Sequence, residues 1–193
     1  MVRAGPSPRS DLITTFSQQF LCISKAFKAR RLRVMKPRLE SRSGRAHRLR
    51  IGRHSERNRT YHIVTSTLDR TRFFANLFAG RIVTNAMRRE DEAGHVNTLA
   101  FVVMPDHLHW LFTLSGSRSL SKAVGTMKSY STRRLNEHLV RSGQVWRSGF
   151  YDHAIRNDEV LVHVARYIIA NPLRAGIVRS VRQYSLWDSV WVK

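Results

Sequence analysis

Cysteine is nearly absent from this chain of 193 residues, which contains only Cys22. A single cysteine cannot form a disulfide within the chain, and this composition fits a reducing cytoplasm. No apolar stretch approaches the roughly 20 residues that a helix needs to span a bilayer. We therefore expect a cytoplasmic protein that does not cross a membrane.

Several motifs that mark common enzyme classes are also missing. The sequence contains no glycine-rich phosphate loop, no paired CxxC motif and no Gly-x-Ser-x-Gly elbow. These absences argue against an ATPase, a zinc finger and a serine hydrolase respectively. No internal repeat with a period of 20–50 residues is visible, so the sequence predicts no solenoid or propeller.

Acidic residues are scarce, with 13 Asp and Glu against 34 Lys and Arg, which gives a formal net charge of +21. Such a chain repels itself unless it meets a polyanion, so the composition predicts a nucleic-acid partner. A basic protein on a membrane surface is the competing interpretation. The charge is uneven, because residues 1–60 hold 16 of the basic and 3 of the acidic residues.

Residues 1–48 have no sustained apolar periodicity and are rich in serine and arginine. We predict that they form a basic, disordered extension, and that residues 49–193 form the folded domain. The extension is either an arm that binds phosphates or an upstream segment without a selected role. In the second case Met35, rather than Met1, is a plausible true start.

The folded part shows alternating and helical apolar patterns in a regular order. A β-branched strand is predicted over Thr60–Thr67, a helix over Phe73–Arg89 and a strand over Asn97–Val103. A helix capped by Ser119 or Ser121 follows and runs to about Leu139. Asn157 and Asp158 can cap a last helix, which Pro172 ends. This order predicts an α+β fold, an antiparallel sheet with helices on one face.

The stretch from Val102 to Phe112 carries the most informative pattern. Side chains alternate between the faces of a strand, so His107 and His109 share one face. Leu108, Trp110 and Phe112 share the other face, which we expect to be core. Two neutral imidazoles side by side can bind a divalent cation. A pair of half-exposed structural histidines is the simpler alternative.

This histidine-hydrophobic-histidine strand resembles the HUH motif of single-tyrosine DNA-nicking enzymes, and is especially similar to that of the REP-associated tyrosine transposases. That family has a tyrosine on a helix about sixty residues downstream, and Tyr167 meets the requirement. The segment Arg166-Tyr167-Ile168-(x)2-Asn171-Pro172 resembles the family signature at this place. The resemblance covers about residues 49 to 180, and both motifs occur in the expected order.

The resemblance implies a ferredoxin-like sheet with the histidines on its central strand. It implies that Tyr167 attacks DNA and forms a 5′-phosphotyrosine. It also implies that His107, His109 and Asn171 bind Mg²⁺ or Mn²⁺. Asp106 is a second candidate for the oxygen ligand, although on an ideal strand its side chain would face away from the two histidines. The expected substrate is single-stranded or hairpin DNA with a palindromic repeat, handled by a monomer or homodimer in a bacterial, nucleoid-associated setting.

Cationic side chains of the predicted second helix and the loop after it are candidates for DNA contact: Lys122, Lys128, Arg133, Arg134 and Arg147. Trp146 and Phe150 in that loop are expected to fill the core. Two other functions stay open from the residues alone. One is a nickase of the replication-initiator or relaxase kind, and the other is a non-catalytic protein that binds nucleic acid through its basic surface.

Overall fold

The central feature of the fold is a five-stranded antiparallel sheet. The computed structural model describes residues 55–155 and 158–192. The strands lie in the order β4-β1-β3-β2-β5, so β3 is central. Their bounds are Thr60–Ser66 (β1), Val96–Met104 (β2), His107–Leu114 (β3), Tyr151–Ala154 (β4) and Trp187–Ser189 (β5). The α+β class and the central position of the His-x-His strand are confirmed.

Within the described residues, four α-helices accompany the sheet: Leu77–Glu92 (α1), Leu120–His138 (α2), Asp158–Ile169 (α3) and Asn171–Arg174 (α4). Polar side chains start the two longest of these helices. The Asn76 side chain accepts hydrogen bonds from the backbone N–H groups at the start of α1, and Ser119 does the same for α2. Each cap satisfies N–H groups that have no partner within the helix. Ser119, one of the two predicted caps, is thus confirmed.

Strands β2 and β3 form a tight hairpin through Pro105 and Asp106. Neighbouring segments hold this turn, because the Thr67 N–H donates to the Asp106 carbonyl at 2.9 Å and the Phe74 N–H donates to the Pro105 carbonyl at 3.0 Å. A bulge in β2 lies between Thr98 and Ala100. The turn therefore fixes the start of β3, where the first histidine stands.

Helices pack against both faces of the sheet, and the expectation of helices on one face is wrong. The larger buried cluster joins Leu108, Trp110 and Phe112 to apolar residues of α1 and α2. The smaller cluster joins Leu111 of β3 to Ala165 and Ile168 of α3, together with alternate residues of β2. Helix α3 thus covers the face that carries His107 and His109. An apolar stripe shows that a helix is buried, but it does not say which face of a sheet the helix covers.

Aromatic residues of the loop and the C-terminal segment fill the core. Trp146 is buried, donates from Nε1 to Ser131 Oγ at 2.9 Å and packs beside Phe74. Phe150 belongs to the same cluster, so the core role predicted for both loop aromatics is confirmed. The C-terminal strand β5 pairs with β2, and the Tyr184 hydroxyl donates to the Val103 carbonyl at 2.7 Å.

Some predictions fall outside the described residues. These are the extension over residues 1–48 with its boundary, Cys22, the alternative start at Met35, the cap by Asn157, and the capping side chain of Asp158. Within residues 55–155 and 158–192, no helix is both long and apolar enough to cross a membrane.

Candidate active site

The two histidines of β3 lie on the sheet face that α3 covers. Their rings meet edge to face, with 5.1 Å between centroids. Strand alternation places both on this face, because the intervening Leu108 belongs to the opposite core cluster. His109 is buried at 9% exposure, whereas the His107 side chain is 20% exposed. The pair therefore opens toward solvent at the His107 end.

A third histidine, His62 of β1, contacts His109 on the same face. His62 Nε2 lies 3.1 Å from His109 Nδ1, and the two rings stack at 5.3 Å between centroids. The register pairs Val64 with His109 and His62 with Leu111, so His62 stands diagonally across from His109. Strand β4 adds His153, which pairs directly with His62. Among the described strand residues, four histidines thus share one sheet face.

Asp106 orients the other β3 histidine. Its Oδ1 lies 2.5 Å from His107 Nδ1, and its Oδ2 accepts from Arg70 Nη1 at 3.2 Å. Arg70 has a positive φ of 56°, a conformation that is uncommon for a residue with a side chain. Asp106 lies in the turn rather than on an ideal strand, and this position brings its carboxylate to the ring. The structure therefore shows Asp106 as a partner of His107.

Burial favours the neutral form of these imidazoles. It lowers the pKa of His109 well below the ordinary 6.5, and nearby positive or titratable groups lower it further: His62, His107, Arg174 and Arg70. Neutral imidazole is the form that binds a metal.

The other two imidazoles follow the same trend. Burial lowers the pKa of His107, although the hydrogen bond and charge of Asp106 act in the opposite direction. Burial, with a smaller contribution from His153, lowers the pKa of His62 to about 4.

Both β3 histidines have their Nδ1 atoms in hydrogen bonds, which leaves Nε2 as the nitrogen available for a cation. Histidines that bind metals commonly donate their other ring N–H to a carboxylate or another acceptor. No group of three or more His, Cys, Asp or Glu that could hold a metal occurs in the described part of the chain. An amide oxygen is another type of protein ligand that suits a hard cation.

Tyr167 is half-buried near the end of α3, and Asn171 opens α4 one turn later. Asn171 Nδ2 donates to the carbonyls of Tyr167 and Ile168 at 3.1 and 2.9 Å. The Arg174 guanidinium lies over the Tyr167 ring, 4.3 Å from its centroid. Because Arg174 also affects His109 electrostatically, it links the tyrosine to the histidine face.

Pro172 ends α3 less abruptly than predicted. Ala170 keeps helical angles, and Pro172 occupies the first turn of α4, where a residue's N–H has no partner within that helix. The Ile168 carbonyl would pair with the N–H of residue 172, which proline lacks. The Asn171 side chain supplies that partner, so it holds the junction between the two helices.

The five cations predicted to contact DNA lie mainly on or near the other face of the sheet, because α2 packs with Trp110 and Phe112. Lys122 and Arg133 line a cavity of about 560 Å³ between α1 and α2, together with Arg89 and Arg118. Arg147 lines a neighbouring cavity of about 620 Å³. The structure therefore does not bring these cations together with the histidines.

Two of the predicted cations have partners within the protein. Lys128 Nζ donates to the carbonyls of Arg147 and Gly149 at 2.7 and 2.8 Å, and burial lowers the pKa of Lys128 to about 8. Arg134 forms an exposed ion pair with Glu137 at 2.6 Å. DNA contact by all five side chains stays a prediction.

Comparison with known proteins decides the family. Residues 55–171, more than half of the chain, match the family described as "Transposase IS200 like". The chain belongs to this transposase family. Membership makes it a DNA-cleaving transposase and confirms the resemblance inferred from the two motifs.

The transposase is similar to two curated relatives. It is 26% identical over 126 residues to a candidate REP-associated tyrosine transposase of Haemophilus influenzae, over 60% of this chain and 71% of that protein. It is 33% identical over 86 residues to the REP-associated tyrosine transposase of Escherichia coli K12. That second alignment spans 44% of this chain and about half, 49%, of the relative.

The fold of the transposase is also similar to a solved structure, that of a REP-associated tyrosine transposase bound to a REP hairpin. The TM-score is 0.60 at 24% identity, and the match covers 70% of this chain and 79% of the other. At this identity the likeness concerns the fold, and it agrees with the sheet and helix arrangement described above.

Three residues that contact the predicted site residues do not follow from the sequence motifs: His62, Arg70 and Arg174. His62 gave a partial signal, because strand alternation sets it apart from the buried Tyr61 and Ile63. Its contact with His109 depends on which strands pair and in what register. That information is not local to either strand.

Proposed function

We propose that the transposase cleaves and rejoins single-stranded or hairpin DNA in a metal-dependent reaction, with Tyr167 as the nucleophile. The observation that carries the proposal is the common orientation of His107 and His109. Both have Nδ1 in a hydrogen bond, and both lie on the sheet face against which the tyrosine helix packs. A single cation-binding site explains this shared orientation better than two unrelated structural histidines do.

The donor set suits a divalent cation that is completed by an oxygen ligand. Nε2 of His107 and Nε2 of His109 would supply the nitrogens, and Oδ1 of Asn171 would supply the oxygen. Two imidazoles alone hold a hard cation weakly, so DNA phosphate and water would complete the shell of Mg²⁺ or Mn²⁺. When bound, the cation neutralises charge on the scissile phosphate and polarises it.

The protein residues then perform a transesterification. The Tyr167 oxygen forms a bond to phosphorus, and the bond from phosphorus to the 3′ oxygen breaks in line. The phenol loses its proton, the leaving 3′ oxygen gains one, and the 5′ side stays on the protein as phosphotyrosine. The Arg174 guanidinium over the ring would hold the phenol in place through a cation–π contact. Attack by a 3′ hydroxyl on the phosphotyrosine reverses these steps and rejoins the DNA without ATP.

The relatives suggest which DNA is used. A solved relative is bound to a REP hairpin, and both curated relatives are named for REP association. We therefore propose a palindromic hairpin as the substrate, in a bacterial cytoplasm and near the nucleoid. Helix α3 packs on the sheet of its own chain, so a monomer contains every named residue. A homodimer is the alternative state.

The basic cavities beside α2 would bind the DNA backbone outside the reaction centre. Lys122 and Arg133 line one of them, and Arg147 lines the next. Cations that neutralise phosphates supply affinity without sequence preference. Binding and chemistry would then lie on different faces of the sheet.

A denaturing gel tests the proposal. The protein is incubated with Mn²⁺ and a hairpin oligonucleotide that is labelled on either side of the cleavage site. We expect a covalent adduct that retains the 5′-phosphate side, that is absent in chelator and that is lost in Tyr167→Phe while DNA binding persists. Tyr151→Phe is the matched control, because Tyr151 is exposed and pairs with Val64 on the same sheet face.

Three outcomes would contradict the assignment. An adduct on the 3′ side, or one that maps to Tyr151 or Tyr130, would show that Tyr167 is not the nucleophile. Binding without any cleavage in Mg²⁺ or Mn²⁺ would support the non-catalytic alternative. Nicking of an unpaired strand without any rejoining would favour the replication-initiator or relaxase alternative.

A further inference from the structure

We infer that His62 is a positioning residue for the metal site, which selects the nitrogen that His109 presents to the cation. This inference rests on the proposed function, because it concerns the same cation. It adds a residue that neither the HUH strand nor the tyrosine helix contains. Three features support this role: the hydrogen bond between His62 and His109, the burial of His109 and the register between β1 and β3.

The hydrogen bond between His62 and His109 has two possible directions. If His109 Nδ1–H donates to His62 Nε2, then His109 Nε2 keeps a lone pair for the metal. If His62 Nε2–H donates instead, His109 carries its proton on Nε2 and cannot bind a cation there. The 3.1 Å distance fits either direction, so the tautomer of His62 decides.

The neighbouring His107 indicates which direction of the bond between His62 and His109 is consistent with a shared cation. His107 Nδ1 faces the Asp106 carboxylate, which can only accept when it is ionised, so His107 carries its proton on Nδ1. His107 Nε2 is then the free nitrogen. A shared cation needs the equivalent atom of His109, and this requires His62 to accept through Nε2 and to carry its own proton on Nδ1.

The surroundings make His62 able to hold this tautomer. The stacked arrangement of the two rings restricts how His62 can turn. His109 is nearly buried, so water cannot readily replace the partner of its Nδ1–H. A histidine with an oriented acceptor behind it has its ring direction and basicity fixed before the metal arrives.

Three variants of the full chain separate the hydrogen bond from packing. His62→Phe keeps an aromatic ring against His109 but removes the acceptor. His62→Gln places an amide oxygen near the position of Nε2 and restores an acceptor. His153→Phe is the matched control, because His153 is an exposed histidine on the same face that pairs with His62.

The first measurement is Mn²⁺ binding by calorimetry, without DNA. Loss of an orienting partner weakens metal binding by about 10- to 100-fold. We expect His62→Phe to bind Mn²⁺ about 10- to 100-fold more weakly than the wild type does. The Mn²⁺ affinities of His62→Gln and His153→Phe should stay within about threefold of the wild-type value, a smaller change than that loss. The second measurement is the ¹⁵N spectrum of the metal-free protein, in which wild-type His109 should be protonated on Nδ1.

The outcomes distinguish this inference from the proposed function. If His109→Ala abolishes Mn²⁺ binding but His62→Phe binds as wild type does, the metal site stands and the role of His62 is overturned. The same holds if the spectrum shows metal-free wild-type His109 protonated on Nε2. If the wild type binds no Mn²⁺ at all, the proposed metal site fails and this inference fails with it.

Discussion

Replacing Lys128 with methionine separates a structural cation from a DNA-binding one. Nζ of Lys128 donates to the carbonyls of Arg147 and Gly149, and these two bonds hold the loop that leads into β4. The Gly149 bond is partly buried and the Arg147 bond is exposed. Leaving a buried acceptor without a partner costs about 1–3 kcal/mol, whereas water can replace the exposed bond. The variant no longer buries a charged ammonium group, and this gain offsets part of the cost of the unpaired carbonyl. We therefore expect Lys128→Met to lower the free energy of unfolding by about 1–2 kcal/mol at pH 7.

The pH dependence of this loss has a definite sign. The pKa of Lys128 is lowered from 10.5 to about 8 in the folded protein. Between these values the unfolded chain keeps a proton that the folded chain has released, so wild-type stability rises with pH. The group therefore contributes stability at high pH that is lost as the pH falls toward 8. The difference in free energy of unfolding between the wild type and Lys128→Met should increase by about 2 kcal/mol between pH 7 and pH 9.5.

Urea unfolding at the two pH values measures this difference, and Lys122→Met is the matched control. Lys122 is exposed on the same helix and lines the basic cavity. We expect its variant to change stability by less than about 0.5 kcal/mol. It should also reduce the magnitude of the negative slope of log affinity against log salt concentration by about 0.9 on duplex DNA. The reasoning is refuted if Lys128→Met unfolds like wild type but reduces the magnitude of the salt slope, or if the difference in free energy of unfolding decreases as the pH rises.

The remaining predictions concern the reaction centre and the N-terminal segment. His107→Ala and His109→Ala should each abolish cleavage on a hairpin gel while keeping most DNA affinity; cleavage at the wild-type rate in metal-depleted buffer plus added Mg²⁺ would make these histidines structural. Asn171→Ala should give a weak adduct because an oxygen ligand is lost, and an undiminished adduct yield would exclude that ligand. A protein that starts at Met35 should melt at an unchanged temperature by calorimetry, and a large decrease would show that the removed residues stabilise the fold.

Local patterns were sufficient for the parts of the site that lie within single elements. Strand alternation placed His107 and His109 on one face and predicted the core role of Trp110, which is fully buried. The sequence also placed Tyr167 and Asn171 one helical turn apart, and the structure keeps them adjacent through the Asn171 side chain. These relations depend only on the geometry of the residue's own segment.

Relations between segments were not predictable in the same way. Helix periodicity put Lys128 on the polar side of α2, but a loop returns to that side and accepts both of its hydrogen bonds. An amphipathic pattern cannot distinguish solvent from a returning loop, because both accept hydrogen bonds from a lysine. Periodicity likewise did not show that α3 covers the face of the sheet opposite to α1 and α2.

Register between β1 and β3 is therefore as important for this site as the His-x-His sequence itself. A shift of one residue would move His62 to the opposite face and leave His109 without its partner. Two features oppose such a shift. The Thr60 and Thr113 hydroxyls hydrogen bond across the two strands at 2.9 Å, and Ile63 is fully buried on the other face. Because a shift would also expose Ile63, the apolar core that stabilises the sheet fixes the orientation of the imidazoles on its other side.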